Sequence, residues 1–150
     1  MVRRIPRALA RAPVPVFRRG FGWLLGSRIM MLQHRGRRSG LPRYAVLEVL
    51  ERAPGRLLLA SGYGPSSQWF RNISAEPRVR VWTGHVRGEA ATARVLPPEE
   101  ARERLAEYRR HHPEAAAALG RFLEIPELAA GPLPADIAER LPLVELRPAA

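Results

Sequence analysis

Between Ile29 and Leu96 the chain breaks into short runs of β-branched and apolar residues, each closed off by glycine or proline, and this punctuation limits the fold most severely. The runs are Ile29 to Gln33, Tyr44 to Leu50, Arg56 to Ser61, Arg78 to Thr83 and Val86 to Leu96. Arg78-Val79-Arg80-Val81 alternates with the two-residue period of a strand that has one wet and one dry face. Thr83-Gly84-His85 supplies a hairpin turn into the next strand, and Ala53-Pro54-Gly55 supplies another between the second and third. Hairpin-linked strands run antiparallel, so an antiparallel meander is expected.

Helical periodicity appears only around and after these runs. Ser66 to Ala75 reads as a short helix, with Pro65 before it and Pro77 after it. Pro97-Pro98-Glu99-Glu100 opens a longer helix whose Ala101, Leu105, Tyr108 and His112 share one face. Its acids lead and Arg109 and Arg110 close it, matching the helix dipole at both ends. Pro113 starts a further helix running through the alanines to about Leu123. Residues 125 to 140 are expected as a loop with one more helical turn, and Pro142 to Leu146 as a final strand. Strands, short helix, strands, helices and a last strand make an α+β domain on a small barrel.

A chain of 150 residues has room for one such core, expected here over residues 29–150. With 46% apolar and 26% charged residues it has the composition of a folded globule. The absence of cysteine excludes disulfides, thiolate metal sites, iron–sulfur clusters and a cysteine nucleophile. His34, His85, His111 and His112 lack the spacing of a zinc helix, so no metal site is expected.

The charge is segregated. All 25 basic residues are arginines; eleven fall in residues 1–43, which contain no acid, while the rest of the chain is balanced. Such a field attracts an anion: a nucleic acid, an anionic membrane surface or a polyanionic small molecule. Residues 1–28 read either as a basic arm or, from Pro15 to Met30, as an amphipathic helix with Phe17, Phe21, Leu24 and Leu25 on one face. The second reading implies peripheral contact with an anionic membrane. The apolar residues of this stretch are interrupted by Arg18, Arg19 and prolines, unlike a signal peptide, so a cytoplasmic protein is expected, with contact at the inner membrane face. A nucleic-acid module would need aromatics interleaved with the arginines, and only Phe17, Phe21 and Trp23 qualify.

Gln33-His34-Arg35-Gly36-Arg37-Arg38-Ser39-Gly40-Leu41-Pro42-Arg43 is a glycine-bounded loop between two strands, dense in arginine. Guanidinium groups bind phosphate and carboxylate bidentately, so the loop suits one anion. A solvated turn or a nucleic-acid contact remains the alternative on composition alone.

Three segments resemble the deazaflavin-dependent nitroreductase family, split-barrel oxidoreductases that use coenzyme F(420). Gly36-Arg37-Arg38-Ser39-Gly40-Leu41-Pro42-Arg43 is similar to the family's GR(K/R)SGxPR loop. Ala60-Ser61-Gly62-Tyr63-Gly64 resembles its glycine-rich turn after the third strand, although Gly62 stands where many relatives have lysine. Trp69-Phe70-Arg71-Asn72-Ile73-Ser74-Ala75-Glu76-Pro77-Arg78-Val79 resembles its W(Y/F)xN(L/I)xAxPxV passage from helix to strand.

The resemblance implies a mostly antiparallel split β-barrel of the FMN-binding type with flanking helices. F(420) would lie in a groove, with FMN as the alternative cofactor. Arg37, Arg38, Ser39 and Arg43 would hold its phosphate and oligoglutamate tail. Tyr44, Ala45, Val46 and Leu47, with Ala60, Ser61 and Gly62, would wall the ring, and Gln68, Trp69, Phe70, Arg71 and Asn72 would approach it from the helix. For Trp69 and Asn72 the residues themselves equally suit a core aromatic and a backbone bridge. The activity implied is hydride transfer from the reduced coenzyme to a small conjugated acceptor, a quinone or a nitro compound. Ser61 would hydrogen-bond the acceptor, and Tyr63 or Tyr44 would supply a proton. A homodimer suits the exposed strand edges of such a domain.

Overall fold

The computed structural model describes residues 29–62 and 64–148. The basic arm, its amphipathic-helix reading up to residue 28 and Tyr63 therefore lie outside the described residues, while Ile29 and Met30, the last two residues of that helix reading, are strand. Six strands are present: β1 (Ile29–Arg35), β2 (Pro42–Ala53), β3 (Arg56–Ala60), β4 (Arg78–Thr83), β5 (Val86–Val95) and β6 (Leu143–Pro148). The helices are α1 (Gln68–Ala75), α2 (Pro98–His111), α3 (Pro113–Leu123) and the single turn α4 (Ile137–Arg140), with a 3-10 turn at Pro126–Leu128.

The strands close into a barrel in the order β1-β2-β3-β6-β5-β4, with β4 returning to β1, and all neighbours are antiparallel. This is the α+β barrel expected. The last strand is the keystone: β6, separated from β5 by all the late helices, inserts between β3 and β5.

Side-chain alternation along the strands builds two cores. Inward residues Met30, Leu32, Val49, Leu59, Val79, Val81, Ala93, Val144 and Leu146 fill the barrel, and Ile73 of α1 enters the same cluster. Outward residues Leu50, Leu58 and Leu143 meet Ala101, Leu105 and Tyr108 of α2, Ala116 and Leu123 of α3, and Leu128, Leu133 and Ile137 of the closing segment. Leu57, Leu58 and Leu59 thus serve both cores, which is why β3 reads as a continuous apolar run.

Two details depart from expectation. β2 is longer than anticipated, because Arg35 pairs with Pro42 at the end of the β1–β2 ladder. His112 is exposed and ends α2 at φ −135°, where the following Pro113 disfavours helical backbone; its ring tilts over Tyr108 instead of extending the buried face.

On the outer face of β6, Glu145 is completely buried. It accepts hydrogen bonds from Arg147 at 2.7 Å, Arg104 of α2 at 3.1 Å and Arg94 of β5 at 3.4 Å, with Arg56 of β3 at 3.9 Å. Burial alone would raise this carboxyl, but the hydrogen bonds from Arg147 and Arg104 and the charges of Arg147 and Arg94 outweigh it. The group is held below the ordinary carboxylate range.

Candidate functional site

The β1–β2 loop is rigid by construction. Gly36 N–H donates to the Leu41 carbonyl at 2.9 Å and Gly40 N–H to the Gly36 carbonyl at 2.8 Å. Leu41 N–H donates to Ser39 Oγ. A Cβ on Gly36 would sit 2.5 Å from that Oγ and make the Ser39 hydroxyl turn away from Leu41, and Gly40 has φ +71°, a conformation that demands glycine. The loop holds Arg37, Arg38 and Ser39 at its tip, and Arg43 follows at the start of β2.

Behind the loop sits a buried polar network. Asn72 of α1, 4% exposed, accepts from Arg37 twice, through the backbone N–H at 3.1 Å and Nη1 at 2.8 Å. Arg37 Nη1 also donates to Gln68 Oε1 at 2.9 Å. The Asn72 amide in turn donates to Nδ1 of His34 at 3.0 Å. Because His34 continues the inward row of Met30 and Leu32, it falls inside the barrel end and is buried. Desolvation, aided by the charge of Arg43, pushes its imidazole down to about 4, so it is neutral at physiological pH. Desolvation and the nearby charges of Arg71 and Arg38 also hold Arg37 below the ordinary arginine value, the mark of a locally uncompensated positive field.

The His34 shift has a measurable sign. The unfolded histidine takes up its proton near pH 6.5 and the folded one only near pH 4. Stability is therefore complete above about pH 6.5 and declines as pH falls through that window, by about 2 kcal/mol at pH 5. Urea unfolding of the wild type and of His34→Gln at pH 7.5 and pH 5 checks this. The variant should lack that part of the decline, and an equal decline in both would remove His34 as its source.

A groove of about 750 Å³ runs between loop, strands and helices. At one end it is lined by Arg37, Arg38, Ser39 and Arg43, with Gly36 and His34 beneath. Tyr44, Ala45, Val46 and Leu47 form the β2 wall, Ala60 and Gly62 the β3 end, and Gln68, Trp69 and Asn72 the α1 side. Trp69 belongs to both readings, since it also packs on the barrel core and meets Phe70 edge-on. Tyr44 lines the groove, while its hydroxyl accepts from Gln33 Nε2 at 3.2 Å and its ring meets Trp82 edge-on.

Three expected residues lie elsewhere. Ser61 is fully buried and donates its hydroxyl to the Gly64 carbonyl, shaping the turn. Phe70 packs against the barrel core, and Arg71 is exposed and outside the groove lining, although its charge reaches Arg37. Conversely, Glu48, Leu50, Ser67 and the α3 residues Leu119, Phe122 and Leu123 line the groove without having been singled out. The i, i+3, i+4 spacing of the α3 residues is a legible helical stripe; what sequence could not show is that the stripe turns toward β2.

The groove fits a deazaflavin with an anionic tail. Three arginines stand on the loop side, and Leu50, Leu119, Phe122 and Leu123 line the side of α3 with Glu48 between them on β2, so the groove is basic at the loop and mainly apolar at α3.

Comparison with known proteins agrees. Residues 13–120 match the family of F(420)H(2)-dependent quinone reductases. Among solved structures, an F(420)-H2-dependent reductase (FDR-A) aligns at TM-score 0.52 and 22% identity, over 80% of this chain and 94% of that one. A structure described as a domain-swapped dimer aligns at 0.55 and 21%, over 89% and 92%. The heme storage protein HutZ from Vibrio cholerae aligns at 0.54 and 12%, over 85% and 86%. At such identities the likeness speaks for the fold alone. No protein of curated function matches. The family match spans well over half of the chain and selects between the two coenzymes considered: this protein belongs to the F(420)H(2)-dependent quinone reductase family, an oxidoreductase family whose coenzyme is F(420).

Proposed function

We propose that the groove holds F(420) with its phosphate and oligoglutamate tail on Arg37, Arg38, Ser39 and Arg43, and that the acceptor is a quinone lodged against α3. The observation that carries this reading is the polarity of the groove, basic at the loop and apolar at Leu119, Phe122 and Leu123. When bound and reduced, the coenzyme supplies a hydride to the acceptor.

The chain's own part is placement. Tyr44 to Leu47 and Ala60 to Gly62 flank the ring, with Ser61 acting through the turn that it ties to Gly64. Gln68 and Asn72 hold Arg37 in place, and the Trp69 indole covers the helix side. Phe122, 44% exposed in a groove wall, offers a flat apolar face to a conjugated ring. Tyr63 or Tyr44 supplies the proton to the reduced acceptor, the Tyr44 hydroxyl having to leave Gln33 to do so. Phe70 anchors the helix on the barrel core, and Arg71 adds positive charge near Arg37.

Two further elements belong to this proposal. Pairing of two copies is supported by the neighbour described as a domain-swapped dimer. Contact of residues 1–28 with an anionic membrane is supported by the segregated positive charge. No helix among the described residues is long and apolar enough to cross a membrane.

The test is anaerobic oxidation of the reduced coenzyme with a naphthoquinone or a nitroimidazole as acceptor. Turnover is expected with the quinone, and Phe122→Ala should raise its KM about tenfold, the worth of a half-buried ring, while leaving coenzyme affinity unchanged. No turnover with quinones, or a Phe122 effect confined to the coenzyme, would overturn the acceptor assignment.

A further inference from the structure

His34 lines the groove, and its Nε2 makes no hydrogen bond among the described residues. His34 is 4% exposed, and its Nδ1 is engaged by the Asn72 amide. The Asn72 carboxamide cannot be turned round, because its Oδ1 already accepts both hydrogen bonds from Arg37. Its Nδ2 is thus the donor and His34 Nδ1 the bare acceptor, which puts the single proton of the neutral ring on Nε2. The buried side-chain polar atoms left without a hydrogen-bond partner among the described residues are Glu100 Oε2 and Glu127 Oε2. His34 Nε2, making no hydrogen bond yet absent from that pair, reaches open space, and the space that His34 lines is the groove.

Its surroundings determine which group it can meet. Arg43 stands directly across the ladder from His34, Arg37 shares the same asparagine, and Gly36 lines the wall two residues on. A donor flanked by two guanidinium groups suits an anionic oxygen far better than a ring carbonyl. A neutral imidazole also adds an N–H to the floor without placing a buried positive charge near exposed Arg43.

We propose that His34 donates a hydrogen bond from Nε2 to a phosphate oxygen of the bound coenzyme, forming the buried floor of an anion site whose rim is Arg37, Arg38 and Arg43. This rests on the coenzyme reading above. Asn72 is then a positioning residue, fixing the His34 tautomer and the Arg37 backbone together. The rim attracts any anion, while the floor fixes where one oxygen comes to rest.

The experiment uses the full chain, nitrogen-15-labelled at histidine, and two ligands: F(420), and its deazaflavin ring with the ribityl chain but no phosphate or glutamate. F(420) should shift the His34 Nε2–H resonance and the ring analogue should not. His34→Phe should lose about tenfold in F(420) affinity and nothing in affinity for the analogue. Equal shifts with both ligands would move the contact to the ring and overturn the inference, as would F(420) binding with no shift. The wild-type measurement still decides if the variant fails to fold. Failure of the wild type to bind F(420) at all would bring down the coenzyme reading itself, and the inference with it.

Discussion

Changing Arg37 and Arg38 together to alanine should weaken F(420) binding about 100-fold while leaving the fold intact. Charge-assisted hydrogen bonds contribute about 1.5–3 kcal/mol each, and two at the lower end, as suits half-exposed side chains, amount to that factor. The loop should survive, because its shape is set by backbone bonds among Gly36, Gly40 and Leu41 and by the glycine conformation at Gly40. Arg37 enters binding already oriented by Gln68 and Asn72, so little side-chain entropy remains to be lost when the anion arrives. Fluorescence titration at two salt concentrations checks the argument: wild-type affinity should fall with salt, and the double variant should show a shallower fall. Unchanged affinity would move the tail off the loop. An equal loss for a ligand without phosphate or glutamate would mean the arginines act on the ring or on the fold.

Glu145→Gln should cost about 2–3 kcal/mol of stability at pH 7, below the full penalty for breaking a buried ion pair because Arg56, Arg94 and Arg147 remain partly in water. The amide keeps the shape of the side chain but leaves four arginines around a neutral centre, with Glu100 as the remaining counter-charge on Arg94. The pH dependence separates charge from packing. A carboxyl held below its ordinary value of 4.5 contributes stability that is present above that pH and is lost as pH falls through the folded value. The gap between wild type and Glu145→Gln should therefore be widest near neutrality and close in acid, in urea melts monitored by circular dichroism. A gap that persists unchanged in acid would assign the loss to packing.

The barrel was legible because its strands announce themselves locally. Arg78 to Thr83 alternates, glycine and proline sit at the turns, and Gly84 and Gly55 both adopt the left-handed backbone that hairpin turns require. The loop at Gly36 to Arg43 was legible for the same reason, its chemistry and its geometry being contained in eight consecutive residues. What stayed hidden depends on tertiary placement. Ser61 carries a hydroxyl beside the groove in sequence, yet the Gly64 carbonyl claims it. Leu119, Phe122 and Leu123 form an apolar stripe that any helix on a core would show, and only packing reveals that it is split between core and groove. His34 sits within a recognised motif, but its burial follows from continuing the inward row of β1, and its tautomer follows from an asparagine 38 residues away.

The two-core architecture has an evolutionary consequence. The basic end of the groove has a buried floor, His34 and Asn72, tied into the barrel end, beneath a rim of half-exposed and exposed arginines. The far wall comes from α3, which belongs to the outer core and reaches the groove through the last turns of a surface helix. On the reading proposed above, exposed Phe122 is the wall residue that selection can rewrite without disturbing either core, so descendants of such a scaffold would be free to diverge in what they reduce before they diverge in what they reduce it with.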